Sequence, residues 1–209
     1  MPNWCNNFAN IRHEDPSEIE RLAKAFNEGK FCNAVIPVPV ELTETTSGHL
    51  GSGYAEELNQ FKMQLNQKYF GHATWYDFCV NRWGTKWDFG ADGYEADVDE
   101  DGLGMSITFD SAWSPPVSIW EELTAQGFVV DAMYYESGMA YCGRYTSEAG
   151  DNYYEIGEMS ADEVADAIDP DIDECFGITE SIREYEAENE EDLHKWVREG
   201  GEKLELKSA

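Results

Sequence analysis

Between Ala91 and Ile182 the chain carries 23 Asp and Glu residues and a single cation, Arg144. A fold built from this stretch cannot neutralise its own charge locally. The asymmetry is regional: residues 1–90 hold 11 acids against 8 bases, and residues 91–209 hold 32 against 6. Self-repulsion on that scale opposes compaction, so the excess carboxylate points to a basic partner, bound cations or a solubility role. A core is nevertheless affordable in 209 residues that are 42% hydrophobic and 13% aromatic, which argues against global disorder. The formal charge of −29 also argues against direct nucleic-acid binding, since that affinity comes largely from Lys and Arg displacing counterions.

No apolar run reaches membrane-spanning length, and the first residues lack the basic and apolar regions of a signal peptide, so a soluble, cytoplasmic protein without membrane contact is expected. Cys5, Cys32, Cys79, Cys142 and Cys175 are widely spread with no C-x-x-C pair. Neither a disulfide framework nor a zinc ribbon is indicated, and buried thiols are expected.

Periodicity gives the element order. Trp4 to Arg12 alternates as a strand, and Asp15-Pro16 starts a helix carrying Ile19, Leu22, Ala23 and Phe26. Pro37 and Pro39 make residues 34–40 an extended edge or loop, and residues 42–53 read as a flexible loop. Leu58, Phe61, Leu65 and Tyr69 mark the apolar face of a helix over about 55–70, with a shorter helix near 75–83. Strands over 94–98 and 105–109 flank the turn Asp99-Glu100-Asp101-Gly102. Pro115-Pro116 opens a helix, 128–135 reads as a strand, and a further hairpin surrounds Gly150. The order is that of an α+β, ferredoxin-like split βαβ sheet, mixed or antiparallel, with a helical insert at about 31–90. After residue 158 the pattern becomes helical and acidic: a Ser160–Glu163 capping box, an Asp169-Pro170 cap, and a long helix capped by Thr179 with Ile182, Tyr185, Asn189, Leu193 and Trp196 on one stripe. A sheet domain at 1–158 and an acidic helical appendage at 159–209 are expected.

Four segments carry a family resemblance: Met1-Pro2-Asn3-Trp4-Cys5-Asn6-Asn7, Trp83-Gly84-Thr85-Lys86-Trp87-Asp88, Ile107 to Pro116, and Tyr134 to Gly143. Together they resemble the YubB-like family of phage and plasmid proteins with a ferredoxin-like domain, over roughly Met1 to Tyr145. The resemblance implies a mobile-element origin and the fold order above. It implies no catalytic residues.

The usual hydrolase signatures are absent: the four histidines are scattered, and there is no H-E-x-x-H, G-x-S-x-G or P-loop. Lys86, Asp88 and Asp110 are the polar groups within the Trp-rich segments, and an enzyme using them in a cleft beside the tryptophans is one alternative. Trp4, Phe8, Phe109 and Tyr134 fall on candidate strands, where a sheet of this kind can stack RNA bases. Two segments approach calcium loops, but Asp97–Gly102 has Thr108 at position 12 where a bidentate Glu is needed, and Asp169, Asp171 and Asp173, with Glu180 at position 12, put Glu174 where Gly makes the turn. No metal and no cofactor is therefore assigned, with a calcium- or partner-dependent structural module as a further alternative.

The acidic surface carries the leading expectation. Its candidates are Asp97, Asp99, Glu100 and Asp101 on the hairpin, and Asp162, Glu163, Asp166, Asp169, Asp171, Asp173, Glu174, Glu180, Glu184, Glu188 and Glu191 on the appendage. On one helical face Glu180, Glu184, Glu188 and Glu191 repel one another. The expected function is a non-enzymatic inhibitor that imitates nucleic-acid phosphates and blocks a basic groove on a host defence or DNA-processing protein.

Overall fold

The computed structural model describes residues 3–91 and 93–198, with side chains described to Asn189. By its contacts the chain divides into two compact units, Met1–Glu155 and Ile156–Ala209.

In the first unit, β1 (Trp4–Arg12) buries alternate residues Cys5, Asn7, Ala9 and Ile11. Asp15 then accepts from the Ser17 amide at 2.9 Å and Pro16 takes the first position of α1 (Pro16–Asn27), as a capped start requires. Four helices follow before the next strand: α2 (Phe31–Val35), α3 (Val40–Thr43), α4 (Tyr54–Phe70) and α5 (Trp75–Arg82). The chain continues through β2 (Asp97–Val98), β3 (Gly104–Ala112), α6 (Val117–Ala125), β4 (Val129–Glu136), β5 (Tyr141–Thr146) and β6 (Gly150–Glu155). These strands form one six-stranded sheet in the order β2-β3-β1-β4-β5-β6. Every pairing is antiparallel. The order β2-β3-β1-β4 is that of the split βαβ fold, with the β5–β6 hairpin added at the β4 edge.

The core is aromatic where α1, α2 and α6 meet the sheet. Phe89 stacks on Phe109 with ring centroids 3.8 Å apart and on Phe31 at 5.3 Å, while Phe26 and Trp120 meet these rings edge-on or tilted. Such pairs add to the area they bury.

Several expectations change. Residues 34–40 are not wholly extended, because α2 forms first and the prolines fall after it. Of residues 94–98 only Asp97 and Val98 pair as strand. Part of the expected loop 42–53 is helical in α3. Cys5, Cys32, Cys79 and Cys142 are buried, but Cys175 is exposed. Phe109 and Tyr134 are buried and Phe8 is half-buried, leaving Trp4 alone of the four strand aromatics exposed. That is not a row of base-stacking platforms.

The largest departure is α4. Its apolar residues Tyr54, Leu58, Phe61, Leu65 and Tyr69 are exposed, and its buried residues are Asn59 and Asn66. Asn59 exchanges hydrogen bonds with the Thr46 amide and carbonyl, both 3.0 Å, and Asn66 donates to the carbonyls of Glu41 and Ala73. The inward face is polar because it satisfies loop backbone. Leu58→Gln, Phe61→Gln and Leu65→Gln should each change stability by less than about 0.5 kcal/mol, because they remove little buried surface. Asn66→Leu should cost roughly 1–3 kcal/mol by removing the side-chain donor to the Glu41 carbonyl and one of the two to the Ala73 carbonyl, which keeps the Thr45 hydroxyl. Thermal melts of the four variants check this, and the reverse ranking would refute the orientation of α4.

The second unit contains α7 (Ala161–Ala167), α8 (Pro170–Phe176) and α9 (Ile178–Arg198). The Ser160–Glu163 capping box is formed, and Asp169 caps α8. Gly177, at φ 63°, closes α8, and α9 begins directly at Ile178. Thr179 is therefore not its cap: its amide donates to Asp173 and its hydroxyl is buried without a partner. On the expected stripe Ile182 is half-buried while Tyr185 and Asn189 are exposed, and Leu193 and Trp196 lie outside the residues whose side chains are described. Among the described residues no helix is long and apolar enough to cross a membrane.

Candidate functional site

The Trp-rich segments, far apart in sequence, interlock at one end of the sheet. The Thr85 hydroxyl donates to the Ala112 carbonyl at 3.2 Å and accepts from the Ala112 amide at 3.1 Å, which ties the loop after α5 to the end of β3. The Ser114 hydroxyl donates to the Gly84 carbonyl. Asn7, buried, donates to Ser111 Oγ at 2.9 Å and to the Cys5 carbonyl at 2.7 Å. Trp113 adopts φ 72°, a conformation uncommon for a bulky residue. Its amide N–H donates to the Asn3 carbonyl at 2.9 Å, and its own carbonyl accepts from the Tyr141 hydroxyl at 2.7 Å.

This scaffold positions three polar groups in different ways. The Lys86 ammonium lies 4.3 Å from the Trp87 ring centroid, 5.2 Å from that of Trp113 and 5.8 Å from that of Tyr76, a cation held against aromatic faces. Asp88 accepts from the amides of Cys32, Asn33 and Phe89 at 2.7, 3.0 and 3.0 Å. Two of these are first-turn amides of α2, whose own N-cap, Lys30, makes no side-chain cap bond, so Asp88 caps that helix from a distant segment. Burial pushes the Asp88 carboxyl up, and the amides pull it back. Asp110, opposite Asn6 in the β1–β3 register, accepts from Asn6 Nδ2 at 2.7 Å and from the Tyr94 hydroxyl at 2.9 Å. That bond to Asp110 raises the Tyr94 hydroxyl above its ordinary value.

Asp88 and Asp110 both line a pocket of about 230 Å³, walled by Trp4, Trp87 and Tyr94 with Phe109 behind them. The Trp4 and Trp87 rings are 6.1 Å apart and inclined at 36°. The expected cleft beside the tryptophans thus takes in Asp88 and Asp110, while Lys86 is not among its lining residues. Tyr94 and Asn6 were not legible as site residues. The signal for Asn6 was its place on the same strand face as its β3 partner Asp110, which only the pairing register reveals.

Asp88→Ala should lower stability by roughly 2–4 kcal/mol because it leaves three backbone donors without their acceptor. Asp88→Asn, keeping one acceptor oxygen, should fall between it and the parent. A thermal melt unchanged in both would exclude the remote cap.

The acidic candidates divide between the two units. On the β2–β3 hairpin, Arg12 pairs with Asp99 at 2.6 Å and Asp101 at 3.3 Å, while Asp97 and Glu100 are exposed. In the second unit Asp162 pairs with Arg183 at 3.0 Å, Glu163 closes the capping box, Asp169 caps α8 with Asp171 in its first turn, and Asp173 receives the Thr179 amide. Asp166, Glu174, Glu180, Glu184 and Glu188 are exposed, and the side chain of Glu191 lies outside the described residues. No group of three or more His, Cys, Asp or Glu side chains placed to hold a metal ion occurs among the described residues.

No family model matches the chain, and no curated protein matches its sequence. Among solved structures, a protein api92 from Yersinia pseudotuberculosis, described with the family model DUF1281, is similar to it at 13% identity and a TM-score of 0.37, over 76% of this chain and 100% of that one.

Proposed function

We propose that the chain is a non-enzymatic inhibitor of the mobile-element kind implied by its YubB-like resemblance. Its carboxylates would stand in for nucleic-acid phosphates and occupy a basic groove of a defence or DNA-processing protein in the host cytoplasm. The observation that carries this reading is the exposed acid of the second unit. Asp162, Asp166, Glu174, Glu180, Glu184 and Glu188 face solvent, and Arg183 is the only basic side chain within residues 156–189.

Geometry limits how the mimicry works. Four helical residues rise about 6 Å, so Glu180, Glu184 and Glu188 alone are sparser than the duplex, which carries one charge per roughly 1.7 Å of axis. The carboxylates of α7 and α8, both packed on α9, are needed to raise the density. A rigid array of this kind steers a cationic partner toward it and speeds the encounter.

The test is competition. Immobilised protein exposed to host lysate should retain basic nucleic-acid-binding proteins, and added duplex DNA should release them. Retention that saturating DNA leaves untouched would overturn the reading.

A further inference from the structure

The pocket between β1, β3, residues 87–90 and Tyr94 has a composition suited to one ligand chemistry. Trp4, Trp87 and Tyr94 line it together with the acidic residues Asp88 and Asp110, of which Asp88 already serves three backbone amides and Asp110 is the carboxylate left for a ligand. Among the described residues no Lys or Arg lines it. Trp4 is 49% and Trp87 40% exposed, and the Lys86 ammonium already lies over Trp87 at 4.3 Å, so the aromatic surface open to a ligand is chiefly that of Trp4. Asn6 and Tyr94 each donate to a different oxygen of Asp110, which fixes the carboxylate's orientation and leaves each oxygen further acceptor capacity. Aromatic faces and a pre-oriented carboxylate around a small volume favour an organic cation and repel an anion. Of the biological cations, a guanidinium fits best: it is planar, weakly hydrated, lies flat on an indole, and meets a carboxylate with two parallel donors.

We propose that this pocket receives the guanidinium of an arginine side chain on a basic protein partner. The inference deepens the basic-partner reading and rests on it, but it places an anchoring contact in the first unit, separate in sequence from the acidic helices. An aromatic and carboxylate anchor of this kind supplies the part of the affinity that salt screens least.

The probe is N-acetylarginine methylamide, with N-acetylcitrulline methylamide as its uncharged near-isostere, titrated into full-length protein labelled with ¹⁵N. The arginine compound should shift the indole N–H resonances of Trp4 and Trp87, assigned by Trp→Phe substitution, with a dissociation constant of about 1 mM. Citrulline should leave them in place. Asp110→Asn, which preserves shape, should weaken arginine binding roughly tenfold. Trp87→Ala is the second variant, with Trp4→Ala in reserve if it misfolds, and it should weaken binding comparably. Equal shifts from citrulline, or an arginine response unchanged in Asp110→Asn and Trp87→Ala, would overturn the proposal. The Glu180→Gln, Glu184→Gln, Glu188→Gln triple variant should bind the arginine compound normally. Loss of partner binding in that triple with no arginine response in the parent would sink the pocket while leaving the basic-partner reading intact, whereas an arginine response in the parent with partner binding unchanged in the triple would keep the pocket and remove α9 as the acidic contact.

Discussion

Gly90→Ala is expected to lower the melting temperature by roughly 5–15 °C, taking a cost of about 2–4 kcal/mol and about 2–4 °C per kcal/mol for a chain of this size. Gly90 sits at φ 96°, where an added Cβ would lie 2.0 Å from the Phe26 carbonyl oxygen and 2.8 Å from its carbon. Those atoms are backbone at the end of α1 and cannot swing aside. The same carbonyl accepts from Gly29 and from Ala91, so separating the segments would also break the Ala91 bond. Overpacking of this kind costs about 1–3 kcal/mol and positive φ on a residue with a Cβ adds about 1 kcal/mol. The consequences reach the pocket, because Asp88 and Phe89 immediately precede this contact and Phe89 stacks on Phe109. Gly71→Ala is the control: it has φ 75° and nothing within 4 Å of the added Cβ, so it should lose only the strain of about 1 kcal/mol. Circular dichroism melts that place the two variants together would show that the 88–91 segment does not press on α1 as described.

The parts of the fold that were legible in the sequence are those specified by neighbours. Asp15-Pro16, Ser160 with Glu163, and Asp169-Pro170 each start a helix by satisfying amides two or three residues away, and each is formed. The alternation of β1, β3 and β4 identifies strands for the same local reason. What escaped was specified at a distance. The helix α2 has its first-turn amides capped by Asp88, 56 residues from Cys32, so nothing near Phe31 announces it. For α4 the periodicity located an apolar face correctly, but periodicity does not say what covers a face. The Asn59 and Asn66 side chains that bind loop backbone turn the helix so that the apolar face is outward.

The candidate site divides in the same way. The tryptophans and the groups Lys86, Asp88 and Asp110 stood out as residue types, yet their division of labour is three-dimensional. Asp88 serves backbone amides, Lys86 rests on aromatic rings, and Asp110 is oriented by Asn6 and Tyr94. The acidic surface also reads differently once paired. Asp99 and Asp101 share Arg12, and Glu163, Asp169 and Asp173 satisfy helix amides. Composition alone gives these carboxylates the same weight as Glu180, Glu184 and Glu188.

That distinction sets the outcome expected for the triple variant Glu180→Gln, Glu184→Gln, Glu188→Gln. If α9 presents a phosphate-like array, removing three exposed charges should weaken partner binding by roughly 10- to 100-fold at low ionic strength, mostly through slower association. The loss should shrink as salt approaches 1 M, where the screening length falls to about 3 Å and exposed charges contribute little in either protein. Stability should hold or rise slightly, because the pairs at 180/184 and 184/188 have helical i, i+4 spacing and like charges there repel. A matched set on the hairpin should behave differently. Asp99→Asn and Asp101→Asn remove the partners of Arg12, so they should loosen the turn without the stability gain. A role confined to solubility predicts unchanged affinity in the α9 triple, and a calcium role predicts only a lost metal response through Glu180. Surface plasmon resonance against the captured partner at 50 mM and 1 M salt separates these outcomes. Equal affinity of parent and triple at 50 mM would remove α9 as the mimic and leave the hairpin carboxylates Asp97 and Glu100, exposed and outside the Arg12 pairs, as the next surface to neutralise.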